Sequence, residues 1–282
     1  MASKYTVIVC SGAGVAGGIF AGGIKKLQEL RLVDEVDTYI GTSAGSFVAT
    51  MLSLGYTPDE CQQKLLNYDI SSTFQLDPLH FFKGYGLSSA NGVMSLIYYL
   101  LGDDKDITFD GVFKKTGKNL VITGTNLSKQ TVEFFDKITY PTMSVALAMR
   151  ISSSIPFVWP YVSFDGCTWC DGGVSDNLAL DYLDPDIKAV GLRFLHPTSG
   201  NPTGVIDYFS RIQSTMTTHE TPDENPNHSI IPLDTTISAT DFKVTKEELQ
   251  ELFTVGYDTV EDYYRTIKGA LPREIGETFL SL

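Results

Sequence analysis

Residues 5–31 carry a short apolar run, then a burst of glycine, then apolar residues at helical spacing. That order leaves few folds open. Tyr5–Cys10 is continuous, rich in Val and Ile, and reads as a buried strand. Gly17–Arg31 places Ile19, Phe20, Ile24, Leu27 and Leu30 on one stripe, the pattern of an amphipathic helix. The unit then repeats. "VDTYI", 36–40, is a second strand running into Gly41, and "AGSFVATMLSL", 44–54, is a second helix with Gly55 as its stop. A βαβα order predicts a parallel sheet with helices on both faces.

The rest of the chain is consistent with α/β order. Pro58 opens a short helix to residue 67, and Asn91 is placed to cap a helix over 92–101. "NLVITGTNL" and "QTVEFFD" read as strands and "TMSVALAMR" as a helix. "FVWPYV" and "TWCDGG" frame a turn at Asp165-Gly166, and "IKAVGLRFL" is a late strand. Residues 219–228 read as an exposed acidic loop. A final helix over 245–268 carries Leu249, Leu252, Phe253, Tyr257 and Val260 on one side. No linker or internal repeat interrupts 1–282, so one domain is expected. Residues 71–90 show no period, and two roles fit them: Phe74, Leu76, Leu79, Phe81, Phe82 and Tyr85 form a lid or interfacial surface over an apolar pocket, or they form a satellite core beneath a long loop.

Bulk chemistry removes whole classes of function. A net charge of −13 lacks the basic footprint of a nucleic-acid binder. It also provides no basic patch for an anionic membrane. No stretch reaches 18 uninterrupted apolar residues, so no transmembrane segment is expected. The first strand is short and its glycines follow too soon for a signal-peptide core, and four cysteines are few for a secreted scaffold. Both points suggest a cytoplasmic location. Cys167 and Cys170 form a C-x-x-C, but with no second pair at zinc spacing they read as small residues of a strand and turn.

Residues 12–17, G-A-G-V-A-G, match a dinucleotide fingerprint. A dinucleotide site needs an acid at the end of the second strand to hold the ribose. Here the only acid of that strand, Asp37, stands at its start. The second strand instead runs into G41-T-S-A-G45, a G-x-S-x-G on a strand-to-helix turn, where a serine nucleophile belongs. With Ser43 as nucleophile, backbone N–H groups of Gly12, Ala13 and Gly14 become donors for the oxyanion of acyl transfer. The nucleophile needs a base. Asp171, ahead of Gly172 and Gly173, can project into a crowded site, and His196, just after the late strand, is the alternative. His80, His219 and His228 sit in no comparable position.

"SGAGVAG", "GTSAG", "RISSSIPFVWP" and "DGGVSDNLAL", in this order, resemble the patatin-like phospholipases, and the resemblance runs from residue 5 to residue 265. It implies a three-layer α/β/α fold with a mostly parallel central sheet and calcium-independent lipid acyl hydrolysis. By that resemblance Ser43 is the nucleophile and Asp171 the base, a Ser-Asp dyad. Gly12, Ala13 and Gly14 form the oxyanion loop, and Gly17, Gly41, Gly45, Gly172 and Gly173 support the motifs. No metal and no cofactor is implied, and the partner is a membrane or micellar lipid touched from outside. Two positions depart from the family pattern. Ala13 replaces a glycine, which a backbone donor tolerates if its φ is negative. Ala16 replaces a basic residue, which leaves the lipid class open. An acyltransferase with the same dyad and a non-catalytic lipid-binding module remain as alternative functions.

Overall fold

The computed structural model describes residues 4–77, 79, 81–195, 201, 207–208, 211–212, 215 and 225–266. Its centre is one sheet of eight strands: β1 (Val7–Cys10), β2 (Thr38–Gly41), β3 (Asn119–Asn126), β4 (Thr131–Phe135), β5 (Val162–Phe164), β6 (Cys167–Asp171), β7 (Ala189–Leu195) and β8 (His228–Asp234). The order is β5-β6-β3-β2-β1-β7-β8, with β4 also on β3. The central ladders β3-β2-β1-β7-β8 are parallel, and those of β4, β5 and β6 are antiparallel. The sheet is therefore mixed and mostly parallel, as the opening repeat predicted.

The helices are α1 (Gly18–Glu29), α2 (Ala44–Ser53), α3 (Pro58–Leu66), α4 (Phe81–Gly84), α5 (Asn91–Leu101), α6 (Phe109–Thr116), α7 (Val145–Ser152) and α8 (Lys246–Thr266). Strand residues alternate between two cores. Ile8, Cys10, Ile122, Val190 and Leu192 face the larger core, where they meet α1, α2, α5, α7 and α8. Val7, Val9, Ile40 and Val121 face a smaller one, covered among the described residues by Leu178–Leu183 and Ile187. The glycines of "GGIFAGG" serve packing: a Cβ on Gly22 would overlap the Phe253 carbonyl, and one on Gly256 that of Ile19. They let α1 and α8 lie backbone to backbone.

Three local expectations change. Asn91 is the first residue inside α5, behind Ala90, and gives no side-chain cap. In "FVWPYV" pairing begins only at Val162, because Phe157 turns the chain at φ +68° and Pro160 brings no N–H to a ladder. β8 is an added strand. The tight turn at Asp165-Gly166 is present, with both residues at positive φ (+49° and +69°), as a two-residue hairpin requires. Most of the acidic stretch 219–228, residues 219–224, lies outside the described residues.

One register detail positions the site. β4 pairs Ile122–Asn126 of β3, which leaves β2 and β6 to share the opposite edge. β2 arrives along that edge from one end and stops at Gly41, opposite Ile122. β6 arrives from the other end and stops at Asp171, opposite Gly124. The two strands meet head to head, and the residues beyond each end are forced together.

Candidate active site

Ser43 follows β2 by two residues and caps α2 with φ +51° and ψ −124°, a backbone region that a non-glycine residue rarely holds. Close packing enforces this elbow. A Cβ on Gly41 would lie 2.5 Å from the Gly45 oxygen, and one on Gly45 would overlap the carbonyls of Cys10 and Ser11. A side chain at Gly41 would push α2 off β2, and one at Gly45 would push it off the end of β1. The Ser43 N–H donates to Ser152 Oγ at 2.8 Å, fixing the strained peptide from the side of α7.

Ser43 Oγ donates to Asp171 Oδ2 at 2.7 Å, and Asp171 Oδ1 accepts the Gly173 N–H at 2.8 Å. Asp171 thereby caps the short turn Gly172–Val174. The Asp171 N–H donates to the Ser154 carbonyl at 3.0 Å, and Thr125 Oγ1 donates to the Asp171 carbonyl at 2.8 Å. Thr123 and Thr125 share one face of β3 where the two strands meet, and Thr123 Oγ1 donates to Thr42 Oγ1 at 2.7 Å. The junction of the two strands is thus braced by hydroxyls. Both partners of the pair are buried, Ser43 at 5% exposure and Asp171 at 2%. Burial pushes the Asp171 carboxyl up to about 7, against the opposing pull of the Ser43 and Gly173 hydrogen bonds.

The glycine-rich loop follows β1 and lies beside this pair. Gly12 donates its N–H to Asn177 Oδ1 at 3.1 Å, so it is not an open donor. The N–H groups of Ala13 and Gly14 bond to nothing among the described residues. Two open donors therefore replace the expected three. Ala13 has φ −147°, the negative value its place in the loop demands. Gly14 has φ +54° and packs so tightly on Ala239 that a Cβ would overlap its carbonyl. Val15 donates its N–H to the same carbonyl at 2.9 Å, so residues before α8 hold the loop in shape. Ala16 is fully buried in the main core. Its side chain is absent from the pocket lining, between Val15 and Gly17, which belong to it.

From Ser43 an apolar pocket runs inward, lined by Val15, Phe47, Leu96, Ile155, Trp159 and Phe242 among others. Residues 70–74 close one side: Ile70 and Thr73 line the pocket, and Phe74 stacks on Phe242 at 4.9 Å. No group of three or more potential metal ligands occurs among the described residues. Among those residues, no histidine bonds to Ser43 or Asp171; His80, His196 and His219 lie outside them, and His228 begins β8. Cys167 and Cys170 are free thiols on β6.

Two residues of this arrangement went unread in the sequence. Ser152 stands in the serine run of "RISSSIP", and Asn177 six residues after Asp171 in "DGGVSDN". Each is a polar residue directly beside a motif, which is the only local signal they give.

The patatin-like phospholipase model matches residues 8–184, well over half of the chain. The chain belongs to the patatin-like phospholipase family. Among curated proteins it resembles an uncharacterized protein, R571, of Acanthamoeba polyphaga mimivirus, 29% identical over 197 residues. It also resembles a probable lipid hydrolase, 463L, of Invertebrate iridescent virus 6, 31% identical over 183 residues. These matches cover 68% and 63% of this chain, and 66% and 62% of the viral proteins, less than two thirds of either. Among solved structures, VipD from Legionella pneumophila aligns with a TM-score of 0.61 at 16% identity, covering 94% of this chain and 67% of that one. That likeness shows the fold, the α/β/α architecture of patatin-like proteins. All four segments quoted above as carrying the family resemblance fall within the matched span or touch its edge. No helix among the described residues is long and apolar enough to cross a membrane.

Proposed function

We propose that this chain is a lipid acyl hydrolase that cleaves fatty acyl esters through Ser43 and Asp171. One observation carries the reading: the Ser43 Oγ–Asp171 Oδ2 hydrogen bond of 2.7 Å at the head of an apolar pocket. The acyl chain enters the pocket and its carbonyl carbon stops beside Ser43. Asp171 Oδ2 takes the hydroxyl proton as Oγ attacks, and the carbonyl oxygen becomes an oxyanion. The open N–H groups of Ala13 and Gly14 receive that charge, a few kcal/mol of barrier each in comparable sites. The proton on Asp171 passes to the leaving alcohol. Water then gives its proton to Asp171 and attacks the acyl-enzyme; the fatty acid leaves as the bond to Oγ breaks, and the proton on Asp171 returns to Ser43 Oγ.

A carboxylate is ordinarily too weak a base for this step. Burial corrects that by raising the proton affinity of Asp171 toward neutrality. Base and oxyanion donors all come from the protein, so the scheme calls for no cation. Family membership, together with the name of the iridescent virus relative as a probable lipid hydrolase, supports the same substrate class.

Incubation with a mixed lipid panel in excess chelator, with products read by mass spectrometry, tests the proposal. The expected result is free fatty acid in undiminished yield. Acyl groups found only on added alcohols or lysolipids would show an acyltransferase. Activity lost to chelator and restored by calcium would refute the mechanism.

A further inference from the structure

Five aromatic side chains from two separate stretches meet at the surface. The Phe81 ring centre lies 6.1 Å from those of Phe82 and Tyr85 and 6.4 Å from that of Phe157. Tyr85 lies 6.1 Å from Tyr161. Phe82 is 85% exposed and Tyr85 64%, and Leu76 and Leu79 add exposed apolar surface on the same segment. Soluble proteins rarely leave a contiguous patch of this kind unless it meets a partner.

The backbone beneath is firmly held. Tyr85 and Phe157 have φ of +59° and +68°, unfavourable for bulky side chains. Hydrogen bonds secure them: Leu87 N–H to the Phe157 carbonyl at 2.8 Å and Ser88 N–H to the Val158 carbonyl at 3.0 Å. The buried Arg150 donates to the Pro160 carbonyl at 2.8 Å and to Ser154 Oγ, bracing the turn from inside.

That turn connects the patch to the pocket. Phe157 belongs to the patch, while Trp159, two residues on, lines the pocket and donates its indole N–H to the Thr73 carbonyl at 3.2 Å. Charge then narrows the partner. A chain of net charge −13 is repelled by an anionic bilayer, and segments 76–85 and 157–161 hold one acid, Asp77, one lysine, Lys83, and one histidine, His80. Aromatic rings, by contrast, settle at the head-group level of a bilayer whatever its charge.

We propose that Phe81, Phe82, Tyr85, Phe157 and Tyr161 form a docking surface for an uncharged or zwitterionic lipid interface, beside the pocket that receives the acyl chain. This rests on the lipid hydrolase reading above. The test is flotation of the full chain carrying Ser43→Ala, which prevents turnover, with phosphatidylcholine vesicles. Phe82→Ser with Tyr85→Asn should lower the bound fraction's partition coefficient by at least about tenfold. Asparagine is chosen because it tolerates positive φ. Ile138→Ser, at another exposed apolar residue, should bind like the parent. Phe82→Ser alone repeats the test at the most exposed ring if the double variant melts lower. High salt should release little protein. Partitioning unaffected by the patch variants would overturn the proposal. So would binding that requires phosphatidylserine and is lost in salt, or a patch-dependent dimer by light scattering. Patch-dependent binding without fatty acid release from the Ser43 chain would sink the hydrolase reading alone; release without patch-dependent binding would sink the docking surface alone.

Discussion

Ser43→Ala and Asp171→Asn should each lower kcat/KM on a lipid ester by at least about three orders of magnitude, roughly 4 kcal/mol of barrier. The first removes the nucleophile. The second keeps the shape of the Asp171 side chain and its place against Gly173 but removes the base. Combining them should cost little more than either alone, because the two act as one unit across a single 2.7 Å hydrogen bond. His80, His196, His219 and His228, changed singly to Gln, should each keep activity within about tenfold. A folded histidine variant as inactive as Ser43→Ala would make Asp171 an orienting group in a triad. His196 would then be the residue to examine, since it directly follows β7.

Asp171→Asn should also produce a more stable protein at alkaline pH. The carboxyl is raised from its usual 3.8 to about 7 by burial, so the folded state binds the proton more tightly than the unfolded chain does. The sign follows from linkage. Below 3.8 the group is protonated in both states and costs nothing. Between that value and about 7 stability falls as pH rises, and above about 7 the full penalty remains. Each unit of separation is worth about 1.4 kcal/mol, so the gain on removing the charge amounts to a few kcal/mol at most. Thermal melts of the two proteins should separate above pH 7 and converge in acid. The same ionisation sets the acid limb of kcat/KM, which should rise with pH to a plateau above about 7. Equal melting at all pH values would mean that the buried carboxylate is better solvated than its 2% exposure implies.

The parts of the fold legible in the sequence are those where local signals agree. β1, α1, β2 and α2 each combine a clear period with glycine at the boundary, so their order and the elbow at Ser43 could be read directly. β8 could not. Its sequence, "HSIIPLD", contains Pro232, which argues against a strand. The strand survives because, among the described residues, it stands at the end of the sheet and pairs only with β7. An edge position does not need the missing N–H. The partner of the Gly12 N–H was out of reach for another reason. Three consecutive backbone N–H groups look equivalent in sequence, and only the fold brings Asn177, 165 residues away, to occupy the first. Ser152 likewise reaches the Ser43 N–H across 109 residues. Residues 71–90 have no period because their side chains meet different surroundings along the segment. Ile70 and Thr73 line the pocket and Phe74 stacks on Phe242, whereas Phe82 and Tyr85 face water, a split that depends on which side of the segment the core lies.

The central claim is that Ser43 is a nucleophile made reactive by Asp171. Labelling with an alkyl fluorophosphonate, followed by mass spectrometry of the peptide that contains Ser43, tests it most directly. The account predicts one adduct per chain, on Ser43, formed rapidly above pH 7, slowly in acid, and at a small fraction of that rate in Asp171→Asn. A folded chain left unlabelled at Ser43, or one labelled equally fast without Asp171, would contradict it.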